Sequence, residues 1–403
     1  MTVLSFKRYP SAEIITSHGK ITIEPLNATE TLFELLSRSN IPWSAVSVFS
    51  VDEKSTSTAL ANLDVSFGEL AEAAVVQVHF SRNVNPRMFD VMDYVRAPAE
   101  DGREVSSFVF QSIDNKASRV KNVLKGLSQK ECQDIVSRNV HEFILEHVAP
   151  NSKLVIGVSG GGDSNALLMA LTSFSDFSIE IHPVILKGVA DWNSGVPRAQ
   201  ELCQSYGLEL MVVEESRVRE ICKLRGQGDL IQSYESSFPG DDFEFLGTFM
   251  IRRVLSALAA DLGAFVVTGL NLEDVLAESL YRIAQGRFPF PFPVRAIQDA
   301  QFLYPLWMCP KKIIDGCFPK FSMENYEMRY PCFSVGRNLY YMMAYSIQSA
   351  FPGAVENLLH GFRALASGVE TSFHADAETG IVYEEQASKE LMEKFSRLLM
   401  RNH

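Results

Sequence analysis

Residues 154–164 read Leu-Val-Ile-Gly-Val-Ser-Gly-Gly-Gly-Asp-Ser, an apolar run that ends in a glycine-rich turn and passes into a helical pattern near Asn165. A short apolar run of this kind fits a buried parallel strand, and Ala166-Leu167-Leu168-Met169-Ala170-Leu171 supplies a compact apolar helix face behind it. Glycines at 160, 161 and 162 let the backbone turn with positive φ and bring N–H groups close to an anion, while the helix N-terminus adds partial positive charge. Strand, glycine turn and helix in this order predict a phosphate-binding loop in an α/β fold. Neither the Gly-Lys-Ser/Thr ending of the common P-loop nor the spacing G-x-G-x-x-G is present.

The pattern around the loop repeats. A helix over 128–148, with Val136, Val140, Phe143, Ile144 and His147 on one stripe, leads into the strand before the loop. Beyond it come a strand at 179–186, a helix at 196–206, a strand at 209–213, a loop near 226–229, a helix at 245–262, a strand at 265–269 and a helix at 272–285. This alternation predicts a parallel sheet with helices on both faces over 128–300. Such sheets bind ligands at the carboxyl ends of their strands, where 159–164 and 269–274 both fall, so the two loops are expected to face one site. Residues 301–403 are expected to form a helical extension that completes it.

The first 82 residues read as a separate small α+β domain. Strands are expected at 3–6, 21–24, 45–49 and 75–80, with Thr29 capping a helix over 30–37. Hairpin, helix and further strands resemble a β-grasp, ubiquitin-like fold, with an unrelated small α+β domain as the alternative. Ubiquitin-like sulfur carriers end in Gly-Gly, whereas here Ser81-Arg82-Asn83-Val84 follows the last strand, so a docking or substrate-covering module is expected instead. The irregular stretch 83–127 reads as a linker that packs on its neighbours.

Composition limits compartment and partners. No apolar run approaches the length of a membrane span, and the N-terminal residues lack a signal peptide's basic, apolar and cleavage segments, so a cytoplasmic address without a membrane partner is expected. Cysteines stand at 132, 203, 222, 309, 317 and 332, too scattered for a disulfide framework, and no C-x-x-C pair occurs. A net charge of −12 contrasts with the basic faces that neutralise nucleic-acid phosphates, which moves the expected substrate toward a small molecule.

Ser159-Gly160-Gly161-Gly162-Asp163-Ser164 resembles the SGGxDS signature of the PP-loop ATP pyrophosphatases, which split ATP between its α and β phosphates, transfer AMP to a substrate oxygen and release pyrophosphate. From about residue 130 to 365 the order of motifs resembles the tRNA 2-thiocytidine synthetases, with lysidine synthetases as more distant relatives. Arg252-Arg253 sit on the helix that carries C-x-x-C-x-x-x-R-R in that family, and Gly269-Leu270-Asn271-Leu272-Glu273-Asp274 stands where the family has G-H-x-x-D-D. Tyr304-Pro305-Leu306, Pro331-Cys332-Phe333-Ser334-Val335-Gly336 and Phe351-Pro352-Gly353 follow in the family's order. The helix cysteines, however, fall at Phe245 and Thr248 and the second cysteine of the Pro-Cys segment at Val335, so no iron–sulfur cluster is expected. The strand-end histidine is also missing, with Asn271 as a polar substitute nearby.

The resemblance implies ATP and Mg2+ as cofactors. Ser159, Gly160, Gly161 and Gly162 would hold the pyrophosphate and Ser164 would donate at the helix start. Asp163 would hold magnesium or a phosphate-bound water, or serve only as a helix N-terminal acid. Gly269, Arg253 and Asp274 complete the nucleotide side, with Arg252, Glu273, Lys187 and Arg337 as further members, and Asn271 would reach the acceptor base. Cys332 is the first choice to deliver sulfur, with Cys309 and Cys317 as partners; Cys132 and Cys203 read as core residues, Cys222 has no assigned place, and a structural role for all six is the alternative. The run Phe288-Pro289-Phe290-Pro291-Phe292-Pro293 is expected to wall the acceptor pocket or to pack on the N-terminal domain.

The activity so implied is an AMP-forming sulfurtransferase that adenylates a nucleobase carbonyl oxygen and replaces it with sulfur. The expected acceptor is a free guanine nucleotide, as in 6-thioguanine formation, in preference to tRNA. A cysteine desulfurase or another sulfur donor protein is the expected partner. Thiolation of tRNA, amidation or amine ligation through an adenylate, and a non-catalytic ATP-binding scaffold are the alternatives.

Overall fold

The computed structural model describes residues 10–16, 19–39, 46–52, 57–60, 63–70, 74–80, 94–114, 119–224, 232, 236, 244–297, 300–321, 340–341, 343–345, 347–348, 353–367, 374–375 and 382–383. The expected strand at 3–6, the loop at 226–229, Cys332 and Arg337 lie outside these described residues. The chain divides into two compact units, 1–131 with 318–358 and 132–317 with 359–403. No helix among the described residues is long and apolar enough to cross a membrane.

In the first unit, β1 (Ala12–Thr16), β2 (Gly19–Ile23), β3 (Val46–Asp52), β4 (Ser57–Leu60) and β5 (Ala74–Phe80) form one sheet in the order β2-β1-β5-β3-β4. β1 runs parallel to β5, and the β1–β2, β3–β5 and β3–β4 pairings are antiparallel. Leu32, Leu35 and Leu36 of α1 (Leu32–Arg38) close a core with Ala12, Val48, Phe67, Val76 and Val78. This is the strand order of a β-grasp sheet. Its helix is capped at Thr31 rather than at the expected Thr29. Thr31 Oγ1 accepts from Glu34 N at 3.1 Å while Glu34 Oε2 accepts from Thr31 N at 2.9 Å, a reciprocal capping box. Thr29 instead donates its N–H to Asn27 Oδ1 at 2.9 Å in a local turn.

Where a linker is expected, β6 (Tyr94–Ala97), β7 (Ser106–Asp114) and β8 (Arg119–Leu127) form a three-stranded sheet in the order β6-β8-β7. Among the described side chains of these strands the buried apolar ones are Phe108, Val109, Leu124 and Leu127, which read as short islands in the sequence.

α2 (Gln129–His147) buries Cys132, Val136, Val140, Phe143 and Ile144, the expected stripe. The second unit is built on a six-stranded sheet of β9 (Ser152–Gly157), β10 (Ile179–Leu186), β11 (Met211–Val213), β12 (Phe265–Val267), β13 (Val294–Ile297) and β14 (Ala300–Leu303). Its order is β11-β10-β9-β12-β14-β13, parallel except for the β13–β14 hairpin. Leu154, Val155 and Ile156 of β9 are buried, as the apolar run predicts. The helices are α3 (Gly162–Thr172), α4 (Ala190–Ser205), α5 (Glu215–Ile221), α6 (Glu244–Leu262), α7 (Leu272–Ala284), α8 (Lys311–Cys317) and α9 (Ala354–Ser367), which runs into this unit from the first. α4 starts six residues before the expected 196 and carries Pro197 inside it, forgoing one helical bond there. From β9 the chain moves outward through β10 and β11 and then returns to the other side at β12. The strand order therefore reverses between β9 and β12, the place where such sheets open a crevice at the strands' carboxyl ends.

Candidate functional site

Both expected loops open onto that crevice. Ile156 pairs with Val267, so the ends of β9 and β12 stand side by side. Val158 N still donates to Val184 O at 2.8 Å, and the chain leaves the sheet at Ser159. Gly160 has φ +73°, and a Cβ there would lie 2.9 Å from Ala199 N and 3.1 Å from Arg198 C. Both the conformation and the close approach require glycine. Ser164 Oγ accepts from Ser159 N at 3.1 Å and Ser159 Oγ accepts from Gly161 N at 3.3 Å, which fixes the turn from within. Gly161 is the N-cap of α3, and no side chain caps that helix among the described residues. The first turn of α3, with the helix dipole behind it, lies at the strand ends where an anion is favoured.

The acidic centre of the site is Asp163. Its Oδ1 accepts from Asn271 Nδ2 at 3.0 Å, and its Oδ2 lies 2.7 Å from Lys311 Nζ. Lys311 Nζ is also 3.5 Å from Asp315 Oδ1. Asn271 caps α7: its Oδ1 accepts from Asp274 N at 3.0 Å, and Asp274 Oδ2 accepts from Asn271 N at 2.9 Å. The Asp274 carboxylate is therefore engaged in a capping box, which orients Asn271 toward Asp163. Gly269 approaches the same aspartate, for a Cβ there would lie 3.4 Å from Asp163 Cβ. Glu273, 0% exposed, accepts the Lys311 backbone N–H on Oε2 at 2.8 Å, while its Oε1 finds no hydrogen-bond partner among the described residues. Burial pushes its carboxyl up to about 8, against the pull of the Lys311 N–H.

Sequence reasoning missed Lys311 and Asp315, and also Arg198, which backs the loop. The guanidinium of Arg198 has Nη2 3.6 Å from where a Cβ on Gly195 would stand, and that point is 3.3 Å from Ser159 O. The signal for Lys311 was a Lys-Lys pair following Pro310, between the Pro-Leu and Pro-Cys segments that motif matching used.

Other expected members sit elsewhere. Lys187 Nζ lies 2.9 Å from Glu214 Oε1, a surface pair. Arg252 reaches Glu278, which Arg295 also holds. Arg253 lies near Cys222, whose thiol its charge pulls down against the larger upward push of burial. Cys309 is buried with Asn139 Nδ2 3.6 Å from its sulfur, and burial pushes its thiol up to about 12. Burial raises Cys317 further, with Cys132 and Cys309 adding to it. In this conformation Cys309 and Cys317 present no thiolate at neutral pH. The Phe-Pro run packs within its own unit: Arg282 and Arg295 lie over Phe290 at 4.1 and 4.7 Å, and Phe292 meets Trp307 at 5.9 Å between ring centroids.

The sheet order, the β9–β12 crevice and the glycine loop define an α/β fold of the PP-loop, adenine-nucleotide alpha-hydrolase-like class, preceded by a β-grasp-like sheet. Among solved structures, the chain is similar to the U34-tRNA thiolase NcsA from Methanococcus maripaludis with its 4Fe-4S cluster. The TM-score is 0.53 at 16% identity, over 69% of this chain and 91% of that one. An NH3-dependent NAD synthetase from Campylobacter jejuni matches at TM-score 0.35 and 12% identity, over 62% of this chain and 100% of that one. An NMN synthetase from Francisella tularensis matches at TM-score 0.33 and 14% identity, over 67% and 92%. No protein-family model and no curated protein matches the chain.

The expectation that iron–sulfur chemistry is absent is corrected here, because the similar thiolase structure holds a 4Fe-4S cluster. That expectation rested on motif positions alone, and a fold that accommodates a cluster in one protein does not support it. As for ligands, the described cysteines 132, 203, 222, 309 and 317 are all buried. No group of three or more His, Cys, Asp or Glu stands together as a metal set among the described residues. Cys332 lies outside the described residues.

Proposed function

We propose that this chain is an ATP-dependent, AMP-forming enzyme that replaces a nucleobase carbonyl oxygen with sulfur. The observation that carries the ATP reading is the junction of β9 and α3. There Gly160 turns with positive φ, α3 carries no side-chain cap among the described residues, and Asp163 is oriented by Asn271 and Lys311. The fold's similarity to a tRNA thiolase supports sulfur as the incoming group.

The loop N–H groups and Ser159 would take the β and γ phosphates, leaving the α-phosphorus near Asp163 and Lys311. The acceptor's carbonyl oxygen attacks that phosphorus, the bond to pyrophosphate breaks, and pyrophosphate leaves with the electron pair. A sulfur nucleophile at the oxidation level of sulfide then attacks the activated carbon and AMP departs. Adenylation matters because a lactam oxygen is a poor leaving group and AMP a good one. Asn271, fixed by its capping box, borders the acceptor side. We assign the acceptor as a free guanine nucleotide, since a net charge of −12 does not favour a broad phosphate-neutralising face.

The test is AMP release from Mg-ATP with sulfide, comparing GMP with bulk tRNA, using protein as purified and after anaerobic iron and sulfide reconstitution. A GMP product heavier by the oxygen-for-sulfur exchange is the expected result. The same mass change confined to tRNA would overturn the acceptor, and AMP formation that never requires sulfide would overturn thiolation.

A further inference from the structure

We propose that the cavity between α2, the Phe-Pro run and α9 is an anchor pocket for a partner protein, and that it takes an aromatic side chain flanked by a carboxylate. His147 at the end of α2, Pro291, Phe292 and Pro293 of the run, and Arg363 and Ala366 of α9 line a cavity of about 230 Å3. All six belong to the second unit. None is part of the glycine loop or of the cluster around Asp163, so the proposal stands apart from the ATP reading.

Size and lining decide between kinds of occupant. A cavity of about 150 Å3 already admits benzene, so this one has room for a phenyl or indole ring. Sites that enclose a whole metabolite run to about 300–1,000 Å3 and carry several convergent polar groups. Here the walls are mostly apolar, and the group among them that is charged at every working pH is Arg363. A one-side-chain pocket with one such cation matches the anchor of a protein surface, where a buried aromatic residue carries much of the binding. The elements that frame the cavity also expose apolar side chains. Leu145, two residues before His147, is 60% exposed, Phe288 at the head of the run 48%, and Leu365 between Arg363 and Ala366 46%. Singly these are ordinary surface residues, but around one cavity they supply an apolar rim.

Arg363 sets the sign of the partner. Among the described residues it pairs with no carboxylate, and its guanidinium lies over Trp307 at 5.5 Å from the ring centroid. A ring face attracts the cation and leaves N–H donors for an oxygen acceptor, to which a carboxylate is matched in shape as well as charge. Glu146, the acid next to His147, is exposed and stands 3.8 Å from His147 Nε2. The walls are also braced before anything binds. Buried Arg295 donates Nε to Pro291 O at 3.0 Å and pairs with Glu278, while Arg282 donates Nε to Phe288 O at 3.1 Å. On the other side Phe292 packs on Trp307, which meets His360 edge-on at 6.0 Å, so one indole joins the run to α9. A pocket fixed in this way loses little entropy on binding.

The experiment follows the fluorescence anisotropy of a labelled, end-blocked peptide Gly-Ser-Asp-Trp-Glu-Ser-Gly titrated with the full chain. Saturable binding tighter than about 1 mM is expected. Replacing the peptide's tryptophan by alanine, or its two acids by their amides, should each weaken it by about tenfold or more. Ala366→Trp, which fills the cavity, should abolish binding. Arg363→Glu should exchange the preference, losing the acidic peptide and gaining one with Lys and Arg in place of Asp and Glu; this surface variant keeps the test decisive if Ala366→Trp melts early. No binding to wild type, equal binding of acidic and basic peptides, or binding unchanged in Arg363→Glu overturns the proposal. Sedimentation velocity covers the other occupant: a wild-type dimer that Arg363→Glu splits would assign the cavity to a second copy of this chain and overturn the partner reading.

Discussion

Two helices begin at the same crevice and their first turns are built in opposite ways. α3 starts at Gly162 behind a glycine N-cap, and no side chain closes its N–H groups among the described residues. α7 starts at Leu272 behind Asn271 and Asp274, which close each other's backbone groups in a capping box. A glycine N-cap gives up a few tenths of a kcal/mol of helix stability relative to a serine and leaves donors for an anion. A self-capped start is rigid and can aim a side chain, here Asn271 at Asp163. The first helix start is built to receive a ligand and the second to position the residues around it.

The substitution expected to break this contrast most severely is Gly160→Ala. It places a side chain at φ +73° and within 2.9 Å of Ala199 N, so the turn must shift. A loss of roughly 2–4 kcal/mol in chemical denaturation is expected, together with loss of detectable ATP binding.

Glu273 adds a pH dependence to the capped side. Its folded carboxyl is raised from 4.5 to about 8, so the folded state holds a proton that the unfolded chain gives up. The stability linked to it is complete below about 4.5 and is lost as pH rises through about 8. Wild type should lose on the order of 5 kcal/mol from this group between those limits. Glu273→Gln keeps an acceptor for Lys311 N–H and should flatten that part of the profile, read by denaturant melts across pH. An unchanged slope in the variant would remove Glu273 as its source.

Asn271 separates capping from aiming. Asn271→Ala should cost about 1–2 kcal/mol and slow pyrophosphate release. Asn271→Asp keeps the cap and so most of the stability, but it turns a carboxylate toward Asp163 and should slow release as well. Full activity in the aspartate variant would show that the cap alone matters. The smallest effect belongs to Gly161→Ser, which gives α3 the cap it lacks. Stability should rise by a few tenths of a kcal/mol while ATP affinity falls a few-fold, because the hydroxyl competes for the donors an anion uses.

What could be read in advance follows the same division. The loop was legible because strand, turn and helix lie within 154–171, and each needs residues that have few other uses in that order. The parallel sheet was legible for the same reason, in the alternation of β and α patterns. Lys311 was not, because its partner Asp163 stands 148 residues away and no local periodicity marks a pair that only tertiary folding creates. The 94–127 sheet was missed because its apolar residues, such as Phe108-Val109-Phe110, read as short islands between polar ones, and the helix cap moved from Thr29 to Thr31 because Glu34 completes a box with the latter. Cys309 and Cys317 make a different case, while Cys332, the first choice for sulfur delivery, lies outside the described residues. Both were expected only as partners of Cys332, and their burial disfavours the thiolate that sulfur delivery would need.

The most direct test of the central claim follows the fate of ATP labelled at its α-phosphate in the presence of sulfide and GMP. Acceptor-dependent appearance of label in AMP, with release of pyrophosphate and loss of both in Gly160→Ala, is the predicted result. Label in ADP with free phosphate, or AMP formation that persists unchanged in Gly160→Ala, would contradict the assignment of this loop as the site of α–β cleavage.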